Sequence, residues 1–193
     1  MRTFRPVLLL LPLCLLGGAG GCASTAISSG HNTALDAMDL QTMTDQMAAS
    51  LAGNPRVSAA FAAEGPLAVV VQPVENRMTA EVLPAGQAYA FTARVRNLLS
   101  KQAPEKFTWV MNRDAFYKLR KTELEGILGP APDAVNPRYC LWATFYSLTK
   151  EDADRRSSAY LCTFELTDLE RRTVLWTHEY QVKKVAVKGT FDR

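Results

Sequence analysis

The sequence predicts an α+β domain: a mixed β-sheet ending in an antiparallel three-strand meander, with helices packed on the sheet, in the order α-β-α-β-α-β-β-β. Three observations predict it. Between residues 39 and 125, stretches with apolar residues three and four apart alternate with short apolar, β-branched runs. From residue 138 onward the period changes, and Arg138–Leu148, Ala159–Thr167 and Thr173–Val182 read as three strands in succession. The links between these three are short, which favours antiparallel neighbours over crossovers.

The N-terminus is of another kind. Met1 to Arg5 carries two cations, Pro6 to Leu16 is almost wholly apolar, and Gly17 to Gly21 is small. This is the three-part pattern of a secretory signal peptide over residues 1–21. The apolar run of about 11 residues is short of the about 20 that a membrane-crossing helix needs. Ala19-Gly20-Gly21-Cys22 resembles the bacterial lipobox. The resemblance implies diacylglyceryl transfer to the sulfur of Cys22 and cleavage before it. Two or three acyl chains would then hold the protein durably, where one would not. The alternative is ordinary signal-peptide cleavage nearby, with Cys22 a bystander. Ala23 follows, not the Asp of inner-membrane retention, so the same resemblance implies the periplasmic face of the outer membrane. Residues 23–34 are small and polar without periodicity, and 22–35 read as a lipidated, flexible tether. His31 within it reads as solvated. Residues 23–38 span about 55 Å at full extension.

The domain is expected over 36–193. Leu40, Met43, Met47 and Leu51 form one helical stripe, with Asp39 as N-cap and Gly53-Asn54-Pro55 as its end. Leu67–Val71 is a buried strand. Gln72–Leu83 is a polar connection, and Pro84 opens a second helix with Ala88, Phe91, Val95, Leu98 and Leu99 inward. Phe107–Met111 is a strand. Asn112 caps a third helix running to about Glu125, with Phe116, Leu119 and Leu124 inward. Gly126–Pro137 is a loop, Thr149–Ser157 a charged loop and Asp168–Arg172 a tight turn.

Composition bounds the function. The chain has 193 residues, 48% hydrophobic and 21% charged, with a formal net charge of +3. Loss of Arg2 and Arg5 with the signal leaves 20 basic against 19 acidic residues, so nothing argues for nucleic acid. The mature domain keeps two cysteines, Cys140 and Cys162, with no CxxC pair for a metal. There is no GxSxG elbow, no phosphate loop and no GxGxxG turn, so no catalytic, cofactor or metal residue is assigned. One constellation is a candidate for chemistry. If Thr167 pairs with Thr173, Cys162 faces His178 and could become a thiolate nucleophile. Pairing Asp168 with Thr173 puts them on opposite faces, and Cys162, between Leu161 and Phe164, then reads as a core residue. Pairing Leu148 with Ser158 sets Cys140 opposite Leu166, too far from Cys162 for a disulfide. Lys183, Lys184 and Lys188 read as a solvated terminal strand rather than a lipid or glycan contact.

On these elements the chain is similar to the LpoB-like lipoproteins, activators of class A penicillin-binding proteins, over roughly residues 36–188. Asp39 to Leu51 is similar to the family's first helix. Val69 to Asn76 resembles its first strand and the Val-x-Asn that follows, and Phe107 to Arg113 its second strand and closing Arg. Tyr139 to Ala143 is similar to the Tyr-Val-Leu-Tyr-Gly strand opening. Thr167 to Trp176 resembles the Asp-x-x-Thr-Gly-x-x-x-Trp hairpin, with Asp168 and Trp176 matching. Two positions depart: Met78 intervenes before Thr79, and Arg172 stands where the family has Gly, a strained place for it if the turn needs positive φ. Related folds occur in the N-terminal domain of TolB and in curli-secretion lipoproteins.

The resemblance implies a non-enzymatic envelope lipoprotein, anchored through Cys22, that binds a class A penicillin-binding protein and shifts it toward an active state. It implies no cofactor. The alternative kept open is a structural or assembly lipoprotein of another envelope complex, secretory or Tol-like; fold alone does not choose between them.

Overall fold

The computed structural model describes residues 26–28, 33–79, 85–123 and 135–187. Residues 1–21, expected to be a signal peptide, and Cys22, His31, Pro84, Leu124 and Lys188 lie outside the described residues. The elements are β1 (Ala26–Ser28), α1 (Ala37–Ala52), α2 (Pro55–Glu64), β2 (Leu67–Val71), β3 (Glu75–Met78), α3 (Ala85–Gln102), β4 (Phe107–Val110), α4 (Arg113–Glu123), β5 (Tyr139–Glu151), β6 (Arg155–Asp168) and β7 (Thr173–Val187). They form one mixed sheet in the order β1-β7-β6-β5-β2-β4, with β3 pairing β5 beyond the end of β2. The predicted α+β class holds, with the antiparallel meander β5-β6-β7 at its centre.

The stripe predicted for α1 is its buried face: Met43, Met47, Ala48 and Leu51 are all inaccessible to solvent. Its cap is Asp36 rather than Asp39. Asp36 accepts from the Met38 and Asp39 backbone N–H groups, and Asp39 accepts in return from the Asp36 N–H. This reciprocal box satisfies three otherwise orphaned donors. Gly53-Asn54-Pro55 ends α1 as expected, but it also starts α2. Asn54 caps the N–H groups of Arg56 and Val57, and Pro55 occupies the first turn, where its missing N–H costs nothing. Gly65 ends α2 at φ 78°, a conformation open to glycine without a Cβ penalty.

β2 pairs parallel with both β4 and β5. Within the polar connection lies β3, which continues along the same edge of β5, Glu75 opposite Thr144 and Met78 opposite Ser147. β5 and β6 run on through the expected charged loop, which shrinks to residues 152–154. Their register sets Leu148 against Ala159, one residue from the expected pairing.

α1, α2 and α3 share one face of the sheet. Phe91 of α3 lies 5.6 Å, ring centre to ring centre, from both Phe145 and Phe164, edge-on to the first and stacked on the second. The core around them takes alternate residues of the meander, from Tyr139, Leu141, Ala143 and Phe145 to Cys162, Phe164 and Leu166. β2→α3→β4 and β4→α4→β5 step in opposite directions along the sheet, so right-handed crossovers place α4 on the other face. There Phe116 is half-buried, while Leu119, expected inward, is 50% exposed.

Candidate functional site

Two ionic clusters tie chain segments to the meander. Lys184, read from sequence as solvated, is 2% exposed. Its Nζ donates to the Ala34 carbonyl at 2.9 Å and to Asp36 at 2.9 Å, and pairs with Asp39. Burial alone would lower the Lys184 pKa, but the hydrogen bonds to Asp39 and Asp36 outweigh it and raise it. The Asp39 backbone N–H, and then Lys184, hold the Asp36 carboxyl below its usual range. Nearby, Thr33 shares a buried hydrogen bond with Ser158 and its carbonyl accepts from the Tyr160 hydroxyl. Residues 33–36, assigned from sequence largely to the tether, are therefore clasped to β6 and β7.

The second cluster gathers at the turn end of the sheet. The Arg138 guanidinium reaches Glu64 at the end of α2 (2.9 Å), Asp168 (3.3 Å) and Glu170 (3.4 Å). The Tyr139 hydroxyl also donates to Glu64; burial and that carboxylate push its pKa up to about 12. Asp168 accepts from the backbone N–H groups of Glu170 and Arg171, forming the β6–β7 turn. Burial opposes its ionisation, but these N–H groups and Arg138 hold its pKa low. Arg172 sits at φ 56°, so the residue replacing the family's Gly does occupy a left-handed position. Trp176 is buried and donates to Ser50 of α1 at 3.2 Å. Asp168 and Trp176 thus act in the hairpin's architecture.

The Cys162–His178 alternative is decided by a β-bulge. Asp168 pairs with Thr173 and Thr167 with Val174, but Leu166 pairs with Trp176, leaving Leu175 as the extra residue. Past the bulge Cys162 faces Tyr180 and His178 faces Phe164. The two side chains share the core face, two positions apart, without being paired. Cys162 is fully buried, and burial raises its thiol pKa to about 12, with Asp39 adding to the effect. The His178 ring stacks on Trp176 at 6.0 Å, and its buried Nε2 has no hydrogen-bond partner. Cys140 and Cys162 are both free, and Cys140 lies opposite Thr167. Among the described residues no group of three His, Cys, Asp or Glu side chains could hold a metal, and no helix is long and apolar enough to cross a membrane.

The sheet face opposite the main core carries an apolar strip along β5: Trp142 (37% exposed), Tyr146 and Leu148 (76%). The Glu75–Arg77 ion pair of β3 borders it on one side. A groove lined by Pro73, Cys140, Trp142, Thr167 and Leu169 opens at its β2 end. Strand periodicity alone puts Trp142, Tyr146 and Leu148 on one face of β5, but composition could not show that this face is left exposed. Its chemistry is that of contact: large amphipathic rings for burial and a polar rim for orientation.

The family model described as peptidoglycan-synthase activator LpoB matches residues 39–182, from the first turn of α1 into β7. No curated protein matches the chain. Among solved structures, the LpoB C-terminal domain from Escherichia coli is similar at 20% identity, covering 75% of this chain and 98% of that one, with a TM-score of 0.46. The LpoB C-terminal domain from Salmonella enterica is 19% identical over 66% of this chain and 93% of that one, TM-score 0.37. Lipoprotein GNA1162 from Neisseria meningitidis is 15% identical over 61% and 83%, TM-score 0.36.

Proposed function

The chain belongs to the LpoB family of peptidoglycan-synthase activators, and on that premise we propose that it is a non-enzymatic lipoprotein that binds and activates a class A penicillin-binding protein. The observation that carries this is the family match over residues 39–182, which spans both helices of the Asp36 and Asn54 caps and most of the meander. The lipid sits on Cys22 and holds the domain at the periplasmic face of the outer membrane. Activation is a population shift: the protein binds the working conformation of the synthase better than its resting one, and the difference in affinity sets the gain in rate. No covalent step on this chain is required. The face carrying Trp142 and Tyr146 is the contact we assign, since exposed aromatic side chains bury much area at little entropic cost.

The test is glycan polymerisation by a purified class A penicillin-binding protein, with and without the full chain. The expected result is faster polymerisation, reduced at least tenfold in apparent affinity by Trp142→Ala with Tyr146→Ala, where tenfold corresponds to about 1.4 kcal/mol. An unchanged rate at saturating chain would end the activator reading. Labelled palmitate incorporation in cells, absent in Cys22→Ser, checks the anchor separately.

A further inference from the structure

β7 lies near one border of the sheet, and its outer edge is long and sparsely used. The strand has 15 residues, yet β1 pairs with only Lys183, Lys184 and Val185. Among the described residues no strand pairs with Thr173–Val182 on that side. Arg56 of α2 donates to the Val174 carbonyl at 3.5 Å. Thr173–Val187 contains no proline to interrupt pairing, and its charged side chains, Glu179, Lys183 and Lys184, are few. Of the devices that usually discourage strand addition at an edge (bulges, prolines and charges), β7 carries the bulge at Leu175 near its turn, and Trp176–Val182 carries only the charge of Glu179.

We propose that the β7 edge is a docking site for an extended segment of a protein partner, and that β1 is its intramolecular competitor. The occupant already present argues for the ligand class. An extended stretch of this same chain, Ala26–Ser28, lies there in parallel register, so the edge accepts a strand through main-chain hydrogen bonds. Three residues offer few such bonds for the ordering they require, and a longer segment reaching into Thr173–Val182 gains more. Release of β1 leaves the domain intact, because the Lys184–Asp36–Asp39 cluster and the Thr33–Ser158 hydrogen bond hold the following residues independently. The outer-face side chains beside the edge, Thr177, Glu179, Gln181 and Lys183, are exposed. They favour a partner strand with small or polar residues on that face, with opposite charge at Glu179 and Lys183. Nothing in this depends on the partner being a synthase, so its failure leaves the activator reading standing.

The experiment uses the full chain, its Ile27→Pro variant, and a synthetic peptide of residues 24–30 as probe. Hydrogen exchange at Lys183–Val185 is expected to accelerate at least tenfold in Ile27→Pro, with Phe145 and Phe164 amides unchanged. The peptide should then shift the β7 amide resonances of Ile27→Pro saturably, at least tenfold more tightly than in the parent chain, where β1 competes. A Ser28→Cys, Val185→Cys chain should cross-link on oxidation and lose peptide binding, and it serves equally if Ile27→Pro does not fold. Unaltered exchange in Ile27→Pro, no peptide binding to a chain with the edge freed, or dimerisation through β7 in place of peptide binding would each overturn the proposal.

Discussion

On the β4 side of the sheet, the strands are four or five residues long, parallel, and joined through helices. In the meander they are 13, 14 and 15 residues long, antiparallel, and joined by turns of three and four residues. At about 3.3 Å per residue the longest extends about 50 Å. The short strands depend on what lies on both faces of them, as Leu67 and Val69 do on the core side and Val70 on the other. The long ones depend on alternation held over a dozen positions, with Phe145, Cys162 and Phe164 all inward. A substitution in the short part is answered locally. One in the meander is felt by three strands and the helices above them.

The comparison breaks hardest at Phe164, 1% exposed and in ring contact with Phe91, Phe145 and His178. Phe164→Ala is expected to cost about 3–5 kcal/mol in urea-induced unfolding. Phe107→Ala, on the border strand β4 where neighbours can relax, should fall about 1 kcal/mol below that figure. Lys184→Met leaves Asp39 buried without its cation and should cost about 3 kcal/mol, whereas Lys184→Met combined with Asp39→Leu should cost less than the single change. A double mutant no better than the sum of its singles would mean that the cluster is not one unit. Arg172→Gly relieves the left-handed residue of the β6–β7 turn and should stabilise the meander by about 0.5–1 kcal/mol, measured by the same unfolding curve.

The smallest effect is a slope. Burial, opposed by Glu179, lowers the pKa of His178 in the fold. The unfolded chain therefore binds a proton first, as pH drops through about 6.5, and stability declines from there toward the lower folded value. His178→Phe should flatten the pH dependence of thermal unfolding between about pH 7 and 5, and an unflattened curve would place the acid sensitivity elsewhere.

Much of this fold was legible because periodicity reports burial. The α1 stripe, the α3 face of Phe91, Val95 and Leu99, and the three meander strands were all readable. What escaped did so for identifiable reasons. Asn54-Pro55 reads as a stop, although cap and proline are equally a start, and nothing else in the local sequence announces α2. β3 is Glu-Asn-Arg-Met, a strand held by one neighbour and without alternation to betray it. β1 falls in a stretch whose composition suits a linker. The bulge at Leu166 and Thr167 departs from both regular registers for Cys162 and His178, because one extra residue returns them to the same face without pairing them. Lys184 looked like its exposed neighbour Lys183. Only the folding back of Asp36 and Asp39, about 150 residues earlier in sequence, supplies a reason for its burial. The outer strip of Trp142, Tyr146 and Leu148 was no easier, since exposure of apolar residues is not a property of the local sequence.

The short parallel strand β1 also sets a leash. With a lipid on Cys22 as proposed, and β1 seated on β7, the chain from Cys22 to Ala26 spans at most about 14 Å, against about 40 Å with β1 released, when the chain is loose as far as the clasp at Thr33. The volume swept by the domain scales as the cube of that length, so seating β1 concentrates it at the bilayer roughly twentyfold. A lipoprotein of this geometry has two working radii: one grazing the membrane it is fixed to, and one that begins to explore the cell wall.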